Sequence, residues 1–217
     1  MGKMPDFTEE QQIILDEVNQ NSFLKKEFYF TGGTVLSHLY YGHRYSEDLD
    51  FFSQKRFDPV VLTTLLTEWS RKHRFTFVSE FIEVVLRVKL YFGNQLLKVD
   101  FGYYPYSQLE ATTNYKDIRV DSLLDIAVNK IQTVTRRTEV KDFVDLYYLL
   151  QKFSLWDLRE GVRIKFGMDF DPLILGSDLL QVDAFEQLPR MIKPLSLKEL
   201  KTYFRQQAEI LGRTVTK

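Results

Sequence analysis

Hydrophobic and polar positions along the first half of the chain follow two different periods. A period of three to four residues, typical of helices with one buried face, covers residues 8–19, 35–40 and 59–74. Short aromatic or alternating runs, typical of strands, cover residues 28–30, 48–53, 75–82, 84–92 and 95–103. The dipeptide Gly93-Asn94 predicts a two-residue hairpin between the last two runs.

After about residue 120 the strand pattern disappears and only the helical period remains. Helices are predicted at residues 123–134, 144–150, 154–166, 171–181 and 196–212. The predicted fold class is therefore α/β (α+β), with a small mixed-sheet domain at residues 1–120 and an all-helical domain at residues 121–217. Because no low-complexity linker separates them, we expect the two halves to pack together and to share a cleft.

The composition excludes several kinds of protein. The 217 residues contain no cysteine, which excludes disulfide frameworks, thiolate metal sites and thiol nucleophiles. No run approaches the roughly 18 apolar residues of a membrane span, so the chain is predicted to be soluble and cytoplasmic. Lys and Arg number 29 against 30 Asp and Glu. Any contact with nucleic acid must therefore come from a local basic patch.

Two aspartates stand two positions apart in the predicted strand at residues 48–53. Asp48 and Asp50 therefore leave the same face of the strand, with Cα atoms about 6.6 Å apart. Like charges this close are unfavourable unless a cation neutralises them, and carboxylate oxygens suit Mg²⁺ or Mn²⁺. The pair predicts a metal site, although a solvated strand face also fits this pattern alone. Arg44 and Ser46, just upstream, hold either a phosphate or the turn before the strand.

A glycine turn precedes the two aspartates along the chain. Gly32 and Gly33 allow the backbone to come close to a ligand, and the following helix directs N–H groups at an anion. Thr34 adds a hydroxyl at the same place. The 13 residues between Thr34 and Asp48 allow a helix and a turn, so the second strand can return beside the first. The turn predicts a triphosphate site next to the metals, and a tight turn without a ligand is the alternative.

A third aspartate is placed by the register of the predicted hairpin. With the loop at residues 93–94, Asp100 lies opposite Arg87. It shares the polar face of the sheet with Lys89 and Lys98. Asp100 is then either the base that deprotonates the attacking hydroxyl or a further metal ligand. A cross-strand ion pair between Arg87 and Asp100, of modest stabilising effect, is the structural alternative.

Four charged residues of the second half are candidates for the other wall of the cleft. Lys130 and Arg137 are seven residues apart, or about two helical turns, so both can face one side and grip triphosphate oxygens. Asp142 and Asp145, three residues apart, also share a helical face. Either pair is equally compatible with a solvated helix surface.

The histidines and most tyrosines are assigned structural roles. The three histidines lack the spacing and the carboxylate neighbours of a zinc site, and are predicted at the surface or at helix caps: His38, His43 and His73. Five tyrosines have the chemistry to stack on a base, but packing is expected to explain most of them: Tyr103, Tyr104, Tyr106, Tyr147 and Tyr148.

The first-half motifs resemble those of a known family. Residues 30–34 (Phe-Thr-Gly-Gly-Thr) and 44–51 (Arg-Tyr-Ser-Glu-Asp-Leu-Asp-Phe) resemble the first motif of the AbiEii/AbiGii toxin family. The resemblance covers about residues 25–150.

Residues of the second half also match motifs of this family. Lys130, Thr135 and Arg137 resemble its second motif, although only one residue stands before the arginine where the family usually has two. Asp142 and Asp145 match its later Asp-x-x-Asp motif.

The resemblance implies a nucleotidyltransferase of the DNA polymerase beta superfamily, from an abortive-infection or type IV toxin–antitoxin system. It implies transfer of a nucleoside monophosphate from a nucleoside triphosphate to an acceptor, tRNA 3′ ends in some members, with an antitoxin encoded nearby. The carboxylates add dependence on Mg²⁺ or Mn²⁺ to this prediction. Taken with the residue patterns above, the predicted catalytic residues are Asp48, Asp50, Asp100, Lys130 and Asp142, of which the first three would bind two metal ions. The implied nucleotide contacts are Gly32, Gly33, Thr34, Arg44, Ser46, Lys130 and Arg137.

Two other functions are compatible with the same residues. A phosphotransferase could bind a triphosphate in the same way and transfer its γ-phosphoryl group, and the released product separates the two reactions. A catalytically inactive scaffold could bind a nucleotide or a partner protein. The intact carboxylates of Asp48, Asp50 and Asp100 argue against such a scaffold.

Overall fold

The computed structural model describes residues 5–215, and a seven-stranded mixed β-sheet forms the centre of this part of the chain. The strands are β1 (Tyr29–Thr31), β2 (Leu49–Ser53), β3 (Thr76–Ile82), β4 (Val85–Phe92), β5 (Gln95–Tyr103), β6 (Thr113–Tyr115) and β7 (Ile118–Val120). Their order across the sheet is β3-β4-β5-β2-β1-β7-β6. Because β2 runs antiparallel to β1 and parallel to β5, Thr31, Asp50 and Asp100 lie side by side in the middle of the sheet.

Successive side chains of a strand point to opposite faces of the sheet, and this explains why the acidic side chains of β2 and β5 share one face. Phe51 of β2 stacks between Phe30 of β1 and Phe101 of β5, with ring centroids 5.2 and 5.4 Å apart. This fully buried aromatic row covers one face of the sheet. Asp50 and Asp100 precede Phe51 and Phe101 by one position and therefore point to the other face.

The predicted hairpin and its register are confirmed. Phe92 pairs with Gln95 across the two-residue loop, and Arg87 pairs with Asp100. Gly93 has a φ of +58°, a left-handed conformation that glycine adopts without the steric cost of a side chain. The placement of Asp100 on the polar face follows from this register.

Helices accompany the sheet and make up the described chain after β7. They are α1 (Glu9–Gln20), α2 (Ser22–Glu27), α3 (Gly32–Val35), α4 (Pro59–His73), α5 (Leu123–Val134), α6 (Val140–Leu149), α7 (Leu155–Phe166), α8 (Pro172–Leu180) and α9 (Leu197–Val215). A π-helical turn (Leu36–Tyr41) continues α3, and a 3₁₀ turn (Gln181–Ala184) follows α8. Within residues 5–215, no helix combines the length and the apolar character that crossing a bilayer requires.

The helix starts that the sequence predicts are present. Thr8 forms a capping box at α1, and Asp58 caps α4 immediately before Pro59. The mixed α/β fold with a helical C-terminal region is confirmed. The division into two domains after residue 120 stays a prediction, and the outer ends of those domains, residues 1–4 and 216–217, lie outside the described residues.

Some local predictions differ from the structure. Helix α2 and strands β6 and β7 were not predicted, because each has only three to six residues and carries no clear period. Asp48 lies one residue before β2 and not within it. Helix α5 ends at Val134, where the apolar spacing stops. Arg137 therefore lies in the loop after α5, and its predicted position two helical turns from Lys130 is wrong.

Candidate active site

Three aspartates near the centre of the sheet face one cleft of about 600 Å³. Asp50 and Asp100 are direct neighbours in the parallel ladder between β2 and β5, and Asp48 lies just before β2. Lys130 of α5 and Lys141 of α6 contribute to the same cleft. The cleft thus lies between the polar face of the sheet and the first two helices that follow it.

The two glycines of the turn have no side chains, so side chains from β2 and from the loop before β2 can pack directly against the turn. Gly32 has a φ of +83°, and a Cβ atom there would lie 2.2 Å from Asp50 Oδ2. A Cβ atom on Gly33 would lie 2.4 Å from Arg44 Nη2. Gly33 lines the cleft, whereas Gly32 packs against Asp50 and does not line it. The main effect of Gly32 is therefore to allow the Asp50 carboxylate its position.

Gly32→Ala is expected to lower the rate of any reaction that uses Asp50 and to destabilise the fold by about 1–3 kcal/mol, through the strained φ and the clash. Gly93→Ala is the matched control, since it also has a positive φ but has nothing within 4 Å of the added methyl group. Activity and urea-induced unfolding are measured for both variants. Equal effects would show that the contact with Asp50 is unimportant.

Thr34 does not reach the cleft. Its side chain is buried, and its hydroxyl donates to the carbonyl of Asp48 and lies 3.0 Å from Ser46 Oγ. The predicted contact between the Thr34 hydroxyl and a phosphate is corrected accordingly, because this hydroxyl fixes the loop that leads into β2. Ser46 itself lines the cleft.

Burial and mutual repulsion make the carboxylates difficult to ionise together. Burial, with the charges of Asp100 and Asp48 added, raises the pKa of Asp50 from 3.8 to about 6. Burial also raises the pKa of Asp100, against the opposing effect of Arg87. A cation placed beside this pair would favour the ionised form of both carboxylates.

The donor set fits a divalent metal that takes part of its ligand shell from a substrate. Within residues 5–215, no group of three or more acidic or histidine side chains is arranged to hold a metal by itself. Mg²⁺ usually takes one or two carboxylates and completes its shell with water and substrate phosphates. Asp50 and Asp100, with Asp48 beside them, offer carboxylates of this kind. Metal binding stays a prediction with which the donor chemistry agrees.

A buried aspartate lies behind the basic wall of the cleft. Asp145 of α6 accepts hydrogen bonds from Arg44 Nε at 2.7 Å, Arg44 Nη2 at 2.8 Å and His43 Nε2 at 2.7 Å. Lys130 Nζ lies 2.7 Å from Asp145 Oδ2. Burial alone would raise the pKa of Asp145, but Lys130 and Arg44 outweigh that effect and hold it well below its ordinary value. Asp145 is therefore ionised at neutral pH and orients three side chains.

A second buried aspartate, Asp142, lies one helical turn before Asp145. Lys130 Nζ donates to its Oδ1 at 2.7 Å, and Arg137 Nε donates to its Oδ2 at 2.8 Å. Both aspartates are fully buried, so their interpretation as a solvated helix surface is wrong. Lys130 and Arg137 line the cleft, whereas Asp142 does not. Asp142 contacts two cations of the cleft wall, and its predicted part in catalysis stays a prediction.

The histidine predictions are wrong for two of the three residues. His43 is fully buried, and burial lowers its pKa, so it is a neutral donor to Asp145. Its Nδ1 atom has no partner among residues 5–215. His38 is buried as well, and its ring stacks on Phe7 at 4.6 Å. A lone histidine carries no local sign of a carboxylate 102 residues away, which is why the sequence does not reveal this contact.

The cleft is basic although the whole chain is not. Its lining has eight basic and four acidic side chains, whereas the chain has a net charge of −1. The basic residues are Arg44, Arg87, Lys89, Lys98, Lys130, Arg137, Lys141 and Arg190. Hairpin register alone places Arg87, Lys89 and Lys98 on this face, but sequence reasoning missed Lys141 and Arg190. Lys141 is recognisable only as the neighbour of Asp142, and no pattern in the sequence points to Arg190.

Solved structures share this fold over nearly the whole chain. The protein JHP933 from Helicobacter pylori superposes with a TM-score of 0.57 at 19% identity, over 97% of this chain and 95% of that chain. MenT4, a nucleotidyltransferase toxin from Mycobacterium tuberculosis H37Rv, superposes with a TM-score of 0.57 at 15% identity, over 94% and 82% of the two chains. At these identities the likeness shows the fold alone.

Sequence comparison identifies the family. The family model described as "Nucleotidyl transferase AbiEii toxin, Type IV TA system" matches residues 13–209. An uncharacterised protein of Aquifex aeolicus (strain VF5) is 31% identical over 214 residues, which cover 95% of this chain and 98% of the relative. The chain belongs to the AbiEii family of nucleotidyltransferase toxins, which confirms the resemblance of its motifs. Membership in a type IV toxin–antitoxin family implies an antitoxin partner.

Proposed function

We propose that the protein transfers a nucleoside monophosphate from a nucleoside triphosphate to an acceptor hydroxyl in a metal-dependent reaction. Its family supports a nucleotidyltransferase toxin. The observation that carries the proposal is the cleft, in which the carboxylates of Asp48, Asp50 and Asp100 face eight basic side chains. Carboxylates suit a divalent metal, and cations such as Arg44, Lys130 and Arg137 suit a triphosphate, so the cleft has a place for both.

Asp48 and Asp50 would hold the divalent metal, with Asp100 as a further ligand or as the base. Bound there, the metal would supply positive charge to the reacting phosphate and to the pyrophosphate leaving group. Burial raises the pKa of Asp100, which makes its carboxylate a better acceptor for the proton of the attacking hydroxyl. Arg87 lies directly opposite in β4 and limits that increase.

The buried aspartates prepare the basic wall for a triphosphate. Arg44 and Lys130 line the cleft, and Asp145 fixes the charged groups of both, with Asp142 also holding Lys130. Cations that are already oriented lose little conformational entropy when a phosphate binds. Arg137 is also held by Asp142, but its side chain is 49% exposed and free to contact a ligand. We therefore assign Asp142 and Asp145 as positioning residues.

The exposed face of β4 and β5 favours a polyanionic acceptor such as RNA, with the tRNA 3′ end as our candidate. Lys89 pairs directly with Lys98 across the two strands, next to the pair of Arg87 and Asp100. Two like charges placed opposite each other destabilise a sheet unless an anion offsets them. Asp48 lies 4.0 Å from Lys98 Nζ, and a bound polyanion would offset the repulsion further. Tyr91, two positions beyond Lys89, is 38% exposed and extends the surface with an aromatic ring.

Transfer of label from each of the four nucleoside triphosphates, labelled at the α-phosphate, to total RNA tests the proposed function. The wild-type protein is expected to label RNA and to release pyrophosphate with Mg²⁺, and to do neither with a chelator. Release of a nucleoside diphosphate would instead indicate γ-phosphoryl transfer. Nuclease digestion of the labelled product identifies the acceptor and the position of the new bond.

Two variants control this experiment. The double variant Asp48→Asn/Asp50→Asn should transfer no label. Asp117→Asn removes a carboxylate that is 73% exposed in the turn between β6 and β7, and this variant should keep full activity. Equal transfer by the wild type and the double variant would contradict the assignment of these carboxylates.

A further inference from the structure

A segment between α8 and α9 crosses to the loop that precedes the catalytic strand β2. The N–H of Tyr45 donates to the carbonyl of Arg190 at 2.9 Å. The N–H groups of Ile192 and Lys193 both donate to the carbonyl of His43, at 2.9 and 3.0 Å. These hydrogen bonds join residues 190–193 to residues 43–45 in the manner of a short antiparallel strand pair, and so fix Arg190 against Tyr45.

Arg190 and Tyr45 form a stacked pair on the rim of the cleft. The guanidinium carbon of Arg190 lies 3.9 Å from the centroid of the Tyr45 ring, which is van der Waals contact. Other contacts of this kind within residues 5–215, such as those of Arg56 and of Lys165 with Phe166, lie at 5.0 to 6.0 Å. Both side chains line the cleft, and Tyr45 is 41% exposed. The pair therefore presents a flat, positively charged surface to the cleft.

We infer that Arg190 and Tyr45 form a nucleobase subsite of the cleft. The inference rests on the proposed nucleotidyl transfer and names the group that binds at this rim. A base has a flat π face that stacks on an aromatic ring or on a guanidinium plane regardless of its hydrogen-bonding edges. The base comes either from the incoming nucleoside triphosphate or from the terminal nucleotide of the acceptor, and the experiment separates these two sources.

Two observations favour a base over a phosphate as the ligand of Arg190. Two other arginines of the cleft wall are directed by carboxylates, Arg44 by Asp145 and Arg137 by Asp142. Arg190 forms no ion pair within the part of the chain that the structure describes, and the Tyr45 ring sets its plane. A phosphate requires only charge and donors at this position, whereas a stacked base requires the plane of the guanidinium group.

Calorimetric titration of Arg190→Lys and Arg190→Ala with each nucleoside triphosphate and with inorganic tripolyphosphate tests this subsite. Lysine keeps the charge but not the plane. If the base belongs to the triphosphate, both variants should bind the nucleotides about tenfold more weakly and tripolyphosphate as tightly as the wild type does. Arg159→Lys is the control, because Arg159 lies over the Trp156 ring outside this cleft, and this variant should bind like the wild type. Thermal unfolding of each variant checks that it folds as stably as the wild type does.

A second arm tests the acceptor as the source of the base. Binding of a short single-stranded RNA is compared with binding of the same RNA lacking its terminal base. A tenfold loss in Arg190→Lys for the intact RNA only would support the subsite and assign the base to the acceptor. Two outcomes overturn the inference: unchanged affinity for every ligand, or a loss for tripolyphosphate in Arg190→Ala that lysine restores. These measurements need no turnover, so they can support or overturn the subsite even if the transfer assay detects no activity.

Discussion

Replacing Asp145 with asparagine is expected to lower the free energy of unfolding by about 3–5 kcal/mol, because the loss of one partner leaves buried charges uncompensated. Asp145 is fully buried, and Arg44 and Lys130 place charged nitrogens within 2.8 Å of its oxygens. The substitution removes both charged hydrogen bonds of Arg44 and leaves Lys130 with Asp142 only. Urea-induced unfolding at neutral pH measures the change.

The matched control is Asp183→Asn, which breaks an exposed ion pair. Asp183 lies 2.9 Å from Arg205 with 43% of its side chain exposed, and its loss should change stability by no more than about 1 kcal/mol. Equal losses of unfolding free energy in the two variants would show that the buried ion pairs stabilise the protein no more than an exposed ion pair does.

The pH dependence gives the Asp145 variant a second signature. The pKa of Asp145 in the folded protein lies well below the ordinary value of 3.8. The contribution of the ionised Asp145 to stability is therefore complete above about pH 4, and it is lost as the pH falls from there through the lowered pKa. The stability difference between wild type and Asp145→Asn should shrink below about pH 4.

Local patterns in the sequence were sufficient to find the acidic half of the site. Side chains alternate with a period of two along a strand, so a known two-residue loop leaves Asp100 only one possible face. Asp48 and Asp50 follow from the same rule within one segment. The glycine turn was equally visible, although its closest partner proved to be Asp50 and not a ligand.

The basic half of the site depends on contacts that no local pattern reveals. Periodicity places Asp142 and Asp145 on one face of a helix but does not show what covers that face. The structure covers it with Arg44 and Lys130, and the hydrogen bond from Arg44 to Asp145 joins residues 101 positions apart. Arg190 reaches the cleft only through backbone pairing with residues 43–45. A single sequence contains no signal that two segments so far apart along the chain pair through their backbones.

Burial also changes how the family motifs are interpreted. Lys130, Asp142 and Asp145 all belong to motif segments, yet only Lys130 lines the cleft. Asp142 and Asp145 are fully buried and do not line the cleft. In these motif segments a cation lines the cleft and two carboxylates lie buried behind it. Substitutions of the cation and of the carboxylates should therefore differ in their effect on stability.

Asp50→Asn is expected to make the protein both inactive and more stable. Nucleotide transfer should fall by about 10³-fold, since electrostatic stabilisation by a bound metal contributes several kcal/mol and each 1.4 kcal/mol or so is a factor of ten. The free energy of unfolding of the metal-free protein should rise at neutral pH. Burial and the charges of Asp100 and Asp48 disfavour the Asp50 carboxylate, and asparagine removes that repulsion.

The sign of the pH dependence distinguishes this stabilisation from a general effect of the substitution. Because the pKa of Asp50 rises from 3.8 unfolded to about 6 folded, the folded protein binds the extra proton between these values. Wild-type stability therefore falls as the pH rises through this window, whereas Asp50→Asn lacks this loss. The gain should be largest above about pH 6 and absent below about pH 4. Asp117→Asn should show no such gain, and an Asp50→Asn protein less stable than the wild type at pH 7 would contradict repulsion at this site.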